Sequence, residues 1–466
     1  MSDLKSAYDL ACERIISSPQ SKIKTERDEQ PLMDFIEIPE FSNREDRVIE
    51  SRETKLITGD EPNINEKRIE TDIKVIPSQC YSFDDKFMEV GWNGHFFDYG
   101  GFARMNRTMV FGLSNRNVKV KTEIEPYLTH VNSATQKELR RMANIEISPK
   151  APIVFGVTVP SRVTHSGRKI LYTMIETSEK VHPDYAGKLN LMDEIWVATE
   201  YGKKILQKSN VHPPIYVMPL GVDTSRYKPI KEKMDFGSSM KGYTFVSVFR
   251  WSYRKGFDIL LRAYMEEFSE DEDVSLLLVS RVVESPEEKG EEKIVSDFND
   301  IKNTINKSSK GLPHVALYTN TVSEKDMPKL YNSADAFVLI SRGEGFGLPF
   351  VEAAACELPV IGSNVSGQTD FLNKDNSFLV EPNGYLEANV GGNMSRMAKL
   401  CHFYNGQKFP DFNEDTIRET RRQMRYVFEN RDEAKKRAKK LSHHIRCNYT
   451  WDMAVDRVYR RLKEIS

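Results

Sequence analysis

Residues 331–372 read YNSADAFVLISRGEGFGLPFVEAAACELPVIGSNVSGQTDFL, and this stretch decides the fold. Residues 336–340 are a short apolar run, suited to a parallel strand buried on both faces. Gly343-Glu344-Gly345-Phe346-Gly347 breaks that run. Pro349 stands where a helix would start, a position at which its fixed φ and missing N–H cost nothing. Residues 350–356 are helical in composition, and 359–362 read as the next strand. Strand, glycine-rich turn, helix and strand together make the repeating unit of a doubly wound α/β domain.

A glycine-rich turn that opens a helix leaves backbone N–H groups without helical partners, which favours a phosphate. The same turn carries a carboxylate, Glu344, and a second, Glu352, follows about one helical turn into the helix. Carboxylates beside an anion site repel the anion unless they have another task. Gripping hydroxyl groups reconciles the two: one carboxylate for each of two sugars, with a diphosphate between them.

This stretch resembles the donor site of retaining glycosyltransferases with the GT-B fold, specifically family four, the glycosyl transferases of group 1. That family shows two glutamates in an E-G-F-G-L-P-x-x-E-A-x-A string, which Glu344 and Glu352 match. The resemblance implies that Glu344 contacts the donor sugar and Glu352 the nucleotide ribose. It also implies that Phe346, Gly347 and Leu348 supply backbone facing the phosphate. The family's small residue after the helix, in a string like A-C-G-L-P-V, is Glu357 here, which puts the local turn in question.

Working outward, residues 243–249 read as a strand, followed by Arg250-Trp-Ser-Tyr-Arg-Lys255-Gly256 and a helix over 257–268. Two cations at one strand end would neutralise a diphosphate, Arg bidentately and Lys as a point charge. The spacing matches the family's R-x-x-x-x-K-G motif, with Gly256 fixing the register on Lys255 and Arg254 as an extra cation. Strands are expected at 275–279 and 315–319, separated by a charged surface segment, ESPEEKGEEK. The loop and helix over 320–331 resemble the family's segment beside the nucleotide base, which points to Ser280, Arg281, Thr321 and Val322 as base contacts.

Upstream, residues 85–222 alternate apolar runs with helical stretches, as a doubly wound α/β domain should, and the resemblance implies that this is the Rossmann-like acceptor domain. A first strand over 87–92 leads to Gly100 and Gly101, where a glycine pair lets a ligand approach the backbone. In the family this loop lies beside acceptor and donor phosphate. Strands follow at 152–159, 170–175 and 193–199, and a helix from Glu200. Glu176 follows the 170–175 strand and is read either as a cleft residue at a strand's carboxyl end or as an exposed loop residue. The string over 215–229 resembles the family's crossover, P-x-G-V-D-x-x-x-F-x-P, and ends the first domain. Residues 223–242 read as an interdomain linker and 243–440 as the donor domain, with a strand over 378–380 and helices from Glu414. Residues 381–394 depart from the family's compact loop, and 441–466 is expected to carry the C-terminal helix back to the first domain.

Residues 1–84 lie outside the resemblance. They are dense in charge and poor in aromatics, with one amphipathic helix possible over 4–16. They read as a tail wrapping the catalytic body or as a module docking a protein, an acceptor or a membrane face. At 466 residues the chain can hold two or more domains. Its net charge of −2 argues against a protein dominated by attraction to nucleic acid or anionic membrane. No apolar run approaches the ~20 residues of a membrane span, and the start lacks a signal pattern. The odd count of scattered cysteines (Cys12, Cys80, Cys356, Cys401, Cys447) fits a reducing, cytoplasmic setting better than a disulfide framework or a metal site.

The resemblance implies transfer of a hexose-type sugar from a nucleotide-diphosphate donor to an acceptor hydroxyl, with retention of configuration. Arg250, Lys255 and Glu344 would form the catalytic set. No Asp-x-Asp pair stands beside the site, so neither metal nor cofactor is expected. Surface polysaccharide or another glycoconjugate is the expected product. Two readings compete with this one: a catalytically silent nucleotide-sugar binder or scaffolding subunit, and a transferase acting on a modified nucleic-acid base.

Overall fold

The computed structural model describes residues 88–123, 131, 133–160, 163–236, 240, 242–282, 287–305, 311–389, 391–392 and 394–466. The charged extension, its amphipathic helix and Phe87, the first residue of the expected opening strand, lie outside these residues.

The first sheet holds six parallel strands, β1 (Glu89–Gly94), β2 (Lys119–Glu123), β3 (Ile153–Gly156), β4 (Lys169–Thr173), β5 (Glu194–Val197) and β6 (Ile215–Val217). Their order across the sheet is β2-β1-β3-β4-β5-β6. The helices between them are α1 (Gly101–Ser114), α2 (Ser133–Ala143), α3 (Pro183–Leu189) and α4 (Glu200–Gln207). Sequence reading missed β2. Its KVKTE string alternates exposed and buried residues at the sheet's edge, and lysines on an edge strand block pairing with another chain.

The second sheet is also six-stranded and parallel, with β7 (Tyr243–Arg250), β8 (Val274–Arg281), β9 (His314–Tyr318), β10 (Ala336–Leu339), β11 (Val360–Ser363) and β12 (Phe378–Val380). Helices α5 (Phe257–Glu267), α6 (Glu287–Thr304), α7 (Met327–Asn332) and α8 (Leu348–Ala355) connect them. Every residue of β10 is buried, as are seven consecutive residues of β8, because both faces carry helices or core. The charged 284–293 segment is not a plain surface loop, since α6 begins within it.

Strand order β12-β11-β10-β7-β8-β9 reverses direction between β7 and β10. Ligands in open α/β sheets bind outside the carboxyl ends of strands at such a reversal. The turn after β7 carries Lys255 and the turn after β10 carries Glu344, so topology alone brings the two together.

The departure at 381–394 proves to be structured. Strands β13 (Tyr385–Ala388) and β14 (Gln407–Pro410) pair antiparallel, with α9 (Ser395–Leu400) and a 3-10 turn over His402–Tyr404 between them. Ala388, Met394, Met397 and Phe409 form a small core of their own. The chain then runs through α10 (Glu414–Glu429), α11 (Arg431–Asn448) and α12 (Trp451–Ile465). Helix α11 packs on α8 of the second domain, and the chain then meets the end of the first domain at 449–451. There Val222 N–H donates to the Tyr449 carbonyl at 2.9 Å, and α12 packs on α1. Arg461 on α12 forms a bidentate pair with the buried Glu194 of β5, at 2.8 and 2.7 Å.

Candidate active site

Gly347 caps α8 at φ +100°, in the left-handed region that a side chain disfavours. Glu344, four residues before the helix, is fixed at both ends of its peptide. Its N–H donates to Ser366 Oγ at 2.9 Å, and its carbonyl accepts from Gly367 N–H at 2.8 Å. Arg342 braces the same turn from below. Its guanidinium makes a bidentate pair with Asp258 at 2.8 and 2.7 Å and lies 3.9 Å over the Tyr253 ring, tying the β10 turn to the β7 turn.

These supports place Lys255 Nζ 2.6 Å from Glu344 Oε1. Arg254 completes the cluster, with Nη1 3.9 Å from Glu344 and 3.0 Å from Glu176 Oε1 of the first domain. Burial alone would raise the Glu344 carboxyl, but the Lys255 ammonium and the Arg254 guanidinium outweigh it and hold it below the usual carboxylate range. Burial works against the Lys255 charge, and Arg254 adds to that, so its ammonium titrates below the ordinary lysine range despite Glu344.

Glu176 is half-buried in the cleft, and Tyr404 also holds it by donating its O–H to Oε2. Burial, and then the Glu176 carboxylate, push the Tyr404 phenol far up, so it remains a neutral donor. A Cβ at Gly343 would stand 2.2 Å from the Glu176 carbonyl oxygen, which shows how closely the β10 turn meets the loop after β4.

Glu352 is buried, and its carboxylate is engaged from two sides. Arg104 of α1 donates to Oε1, and Tyr331 O–H donates to Oε2 at 2.8 Å. Arg104 Nη2 also reaches Tyr227 O–H at 3.3 Å. Neighbouring Arg107 donates to the Phe96 and Asp98 carbonyls at 2.6 and 2.8 Å and reaches Glu324 of the second domain at 3.3 Å. It thereby shapes the loop that precedes Gly100.

The remaining expected residues divide by geometry. A Cβ added at Gly101 would stand 3.7 Å from Leu348 Cδ1, and one added at Gly100 would stand 2.5 Å from Asp98 Oδ1 and 3.3 Å from Arg250 Nη2. Arg250 is exposed, and no hydrogen bond or ion pair holds its guanidinium among the described residues. Arg281 donates to Thr321 Oγ1 at 2.8 Å and lies 5.1 Å over the Tyr99 ring, so these residues line one end of the cleft. Val322 is half-buried there. Ser280 is turned inward, its O–H donating to the Phe249 carbonyl at 2.7 Å. Phe346 is a core side chain packed on Phe371 and Tyr449, so only its backbone faces the turn. Arg104, Arg254 in its paired role, and Tyr404 were not foreseen. Arg104 and Tyr404 meet their partners across 248 and 228 residues of chain, which no local spacing reveals.

Residues 241–390 match the family model described as Glycosyl transferases group 1. Mannosylfructose-phosphate synthase of Agrobacterium fabrum is 27% identical over 153 residues, 32% of this chain and 32% of that protein. O-antigen chain mannosyltransferase B of Escherichia coli is 41% identical over 66 residues, 14% of this chain and 17% of that protein. The matched region thus spans a third or less of these relatives' length. Among solved structures, Anabaena Alr3699/HepE in complex with UDP and glucose aligns at a TM-score of 0.55 and 13% identity, over 81% of this chain and 100% of that one. Sucrose-phosphate synthase from Thermosynechococcus elongatus aligns at 0.54 and 14%, over 81% and 100%. The resemblance to the group 1 glycosyl transferases is borne out, and the two-sheet architecture is the GT-B fold. No helix among the described residues is long and apolar enough to cross a membrane.

Proposed function

We propose that this chain is a retaining glycosyltransferase. It moves a hexose-type sugar from a nucleotide-diphosphate donor to an acceptor hydroxyl, without a catalytic metal. The carrying observation is the meeting of Lys255 and Glu344, 2.6 Å apart, at the strand-order reversal of the second sheet. Departure of a nucleoside diphosphate builds negative charge on the β-phosphate. Lys255, the open guanidinium of Arg250 and the positive end of α8 would stabilise that charge. Glu344 would grip hydroxyls of the donor sugar, and Arg281 with Thr321 would flank the base. No side chain is assigned as nucleophile; the acceptor would attack on the face the diphosphate leaves, handing its proton to a phosphate oxygen. The names of the relatives, two of them mannosyl-transferring, favour a hexose. A glycan or glycolipid acceptor, and work in the cytoplasm on surface polysaccharide or another glycoconjugate, belong to the same proposal. So does a protein or membrane partner for residues 1–84.

One observation favours a second reading. The Glu352 carboxylate, to which the resemblance gives the ribose, is already held by Arg104 and Tyr331. A scaffolding subunit that does not turn over sugar would tolerate that arrangement. Incubating the full chain with UDP-, GDP-, ADP- and TDP-sugars, with and without EDTA, separates the two. Slow hydrolysis of one donor, unaffected by EDTA and releasing sugar of the donor's configuration, is the expected result. Tight binding of a donor with no hydrolysis and no transfer to any acceptor would favour the silent reading.

A further inference from the structure

The excursion between β12 and α10 touches the first domain outside the cleft as well as within it. Ser178 N–H donates to the Lys408 carbonyl at 2.9 Å, and Lys408 Nζ lies 3.1 Å from Glu179. The Phe403 ring stacks on Tyr185 of α3, centroids 5.3 Å apart and 27° between planes. That stacking sets the neighbouring residue, His402, beside the start of α3.

Three side chains converge there. His182 caps α3, Asp184 sits in its first turn, and His402 arrives from the second domain. His402 Nε2 is 3.6 Å and His182 Nδ1 is 3.8 Å from the same Asp184 oxygen, Oδ2. One ligand atom from each residue lies within 4.8 Å of the other two. Around a zinc ion, neighbouring tetrahedral ligands stand ~3.4 Å apart, given bonds of about 2.0–2.1 Å. Two edges of the triangle therefore need only a few tenths of an ångström of closure. The long hydrogen bond from Asp184 N–H to His182 Nδ1, 3.2 Å, is a weak competitor for that nitrogen.

We propose that His182, Asp184 and His402 form a binding site for a zinc-class divalent cation that joins the two domains. Two imidazoles and one carboxylate suit a borderline ion such as Zn²⁺, Co²⁺ or Ni²⁺ better than Mg²⁺ or Ca²⁺, which take all-oxygen sets. Asp184 and His402 are exposed, so a fourth position is open to water. The site lies apart from the sugar-transfer residues but is linked to them. His402 is two residues from Tyr404, and Tyr404 holds Glu176 in the cleft. An ion there would fix the 3-10 turn and, with it, the hydrogen bond to Glu176.

The test is a calorimetric Zn²⁺ titration of the full chain. The exposed His443–Cys447 pair on α11, with Nε2 3.7 Å from Sγ, could bind the same ion. The parent protein should therefore carry His443→Ala and Cys447→Ser. One saturable equivalent is expected, with a matching rise in Tm. His402→Ala and His182→Ala should each weaken binding by more than about tenfold. His402→Cys, which keeps a ligand from the second domain, should restore it. Metal-free Tm values of the two His402 variants should match the parent, which separates loss of a ligand from loss of fold. No saturable binding below about 0.1 mM would overturn the site. So would binding that His402→Ala leaves unchanged. No sugar donor enters the experiment, so its outcome is independent of whether the chain transfers sugar.

Discussion

Arg104, in the first turn of the first domain's opening helix, donates to the carboxylate of Glu352, one turn into α8 of the second. Both side chains are largely withdrawn from water, and Tyr331 completes the set. Removing one partner of such a pair leaves the other as an uncompensated charge. Arg104→Met should lower stability by about 3–5 kcal/mol, read from the midpoint of guanidinium unfolding. A change below about 1 kcal/mol would mean that water reaches the carboxylate and that the domains are not tied here.

Lys255 and Glu344 form a second close pair, and here the expected loss is in turnover. Lys255→Ala and Glu344→Ala should each lower kcat by at least ~10²–10³, the scale for removing one group aimed at developing charge. Circular dichroism should remain native-like. Wild-type-like turnover in either variant would sink the catalytic assignment.

Acid should weaken the fold partly through Glu344. Its carboxyl is held below its ordinary value of 4.5 in the folded protein, so the unfolded chain binds the proton more readily. That contribution is fully present above pH 4.5 and is lost as pH falls through the lower, folded value. In Glu344→Gln the drop in Tm between pH 7 and pH 4 should be smaller than in the parent. An equal drop would show that other carboxylates govern acid unfolding.

Glu357 occupies a backbone position built for glycine. Its φ is +59°, Leu358 N–H donates to the Ala353 carbonyl at 3.1 Å, and Glu357 N–H donates to that of Ala354 at 3.0 Å. That pattern is a left-handed helix stop, in which a side chain at this residue is strained. The family string has a small residue at the same place, so the doubt raised by Glu357 has a structural basis. Glu357→Gly should raise stability by about 1 kcal/mol with activity unchanged. A loss of stability would mean that the carboxylate makes a contact worth more than the strain.

Much of this was legible in the sequence because parallel strands buried on both faces announce themselves as apolar runs. The β7 and β10 strands, and the glycine turns after them, appear within a residue or two of where they were expected. Strand β2 was not legible, since an edge strand of lysines and threonine looks like a loop. Nor was the β13–β14 excursion, where Tyr385, Leu386 and Glu387 are all exposed and carry no buried face to read. The Arg104–Glu352 and Tyr404–Glu176 contacts depend on how two domains meet. Helix periodicity places Arg104 on a surface, and only the assembled pair shows what that surface touches.

The last helix of the chain completes the first domain, and this has a consequence for synthesis. Residues 88–222 leave the ribosome well before α12 is made, with the α1 surface that receives α12 uncovered and Glu194 lacking Arg461. Both remain so while the whole second domain is translated. At 5–20 residues per second that gap lasts roughly 10–50 seconds. A nascent first half is therefore an aggregation-prone intermediate, and a chain that stops before residue 451 is a ready substrate for chaperones and proteases.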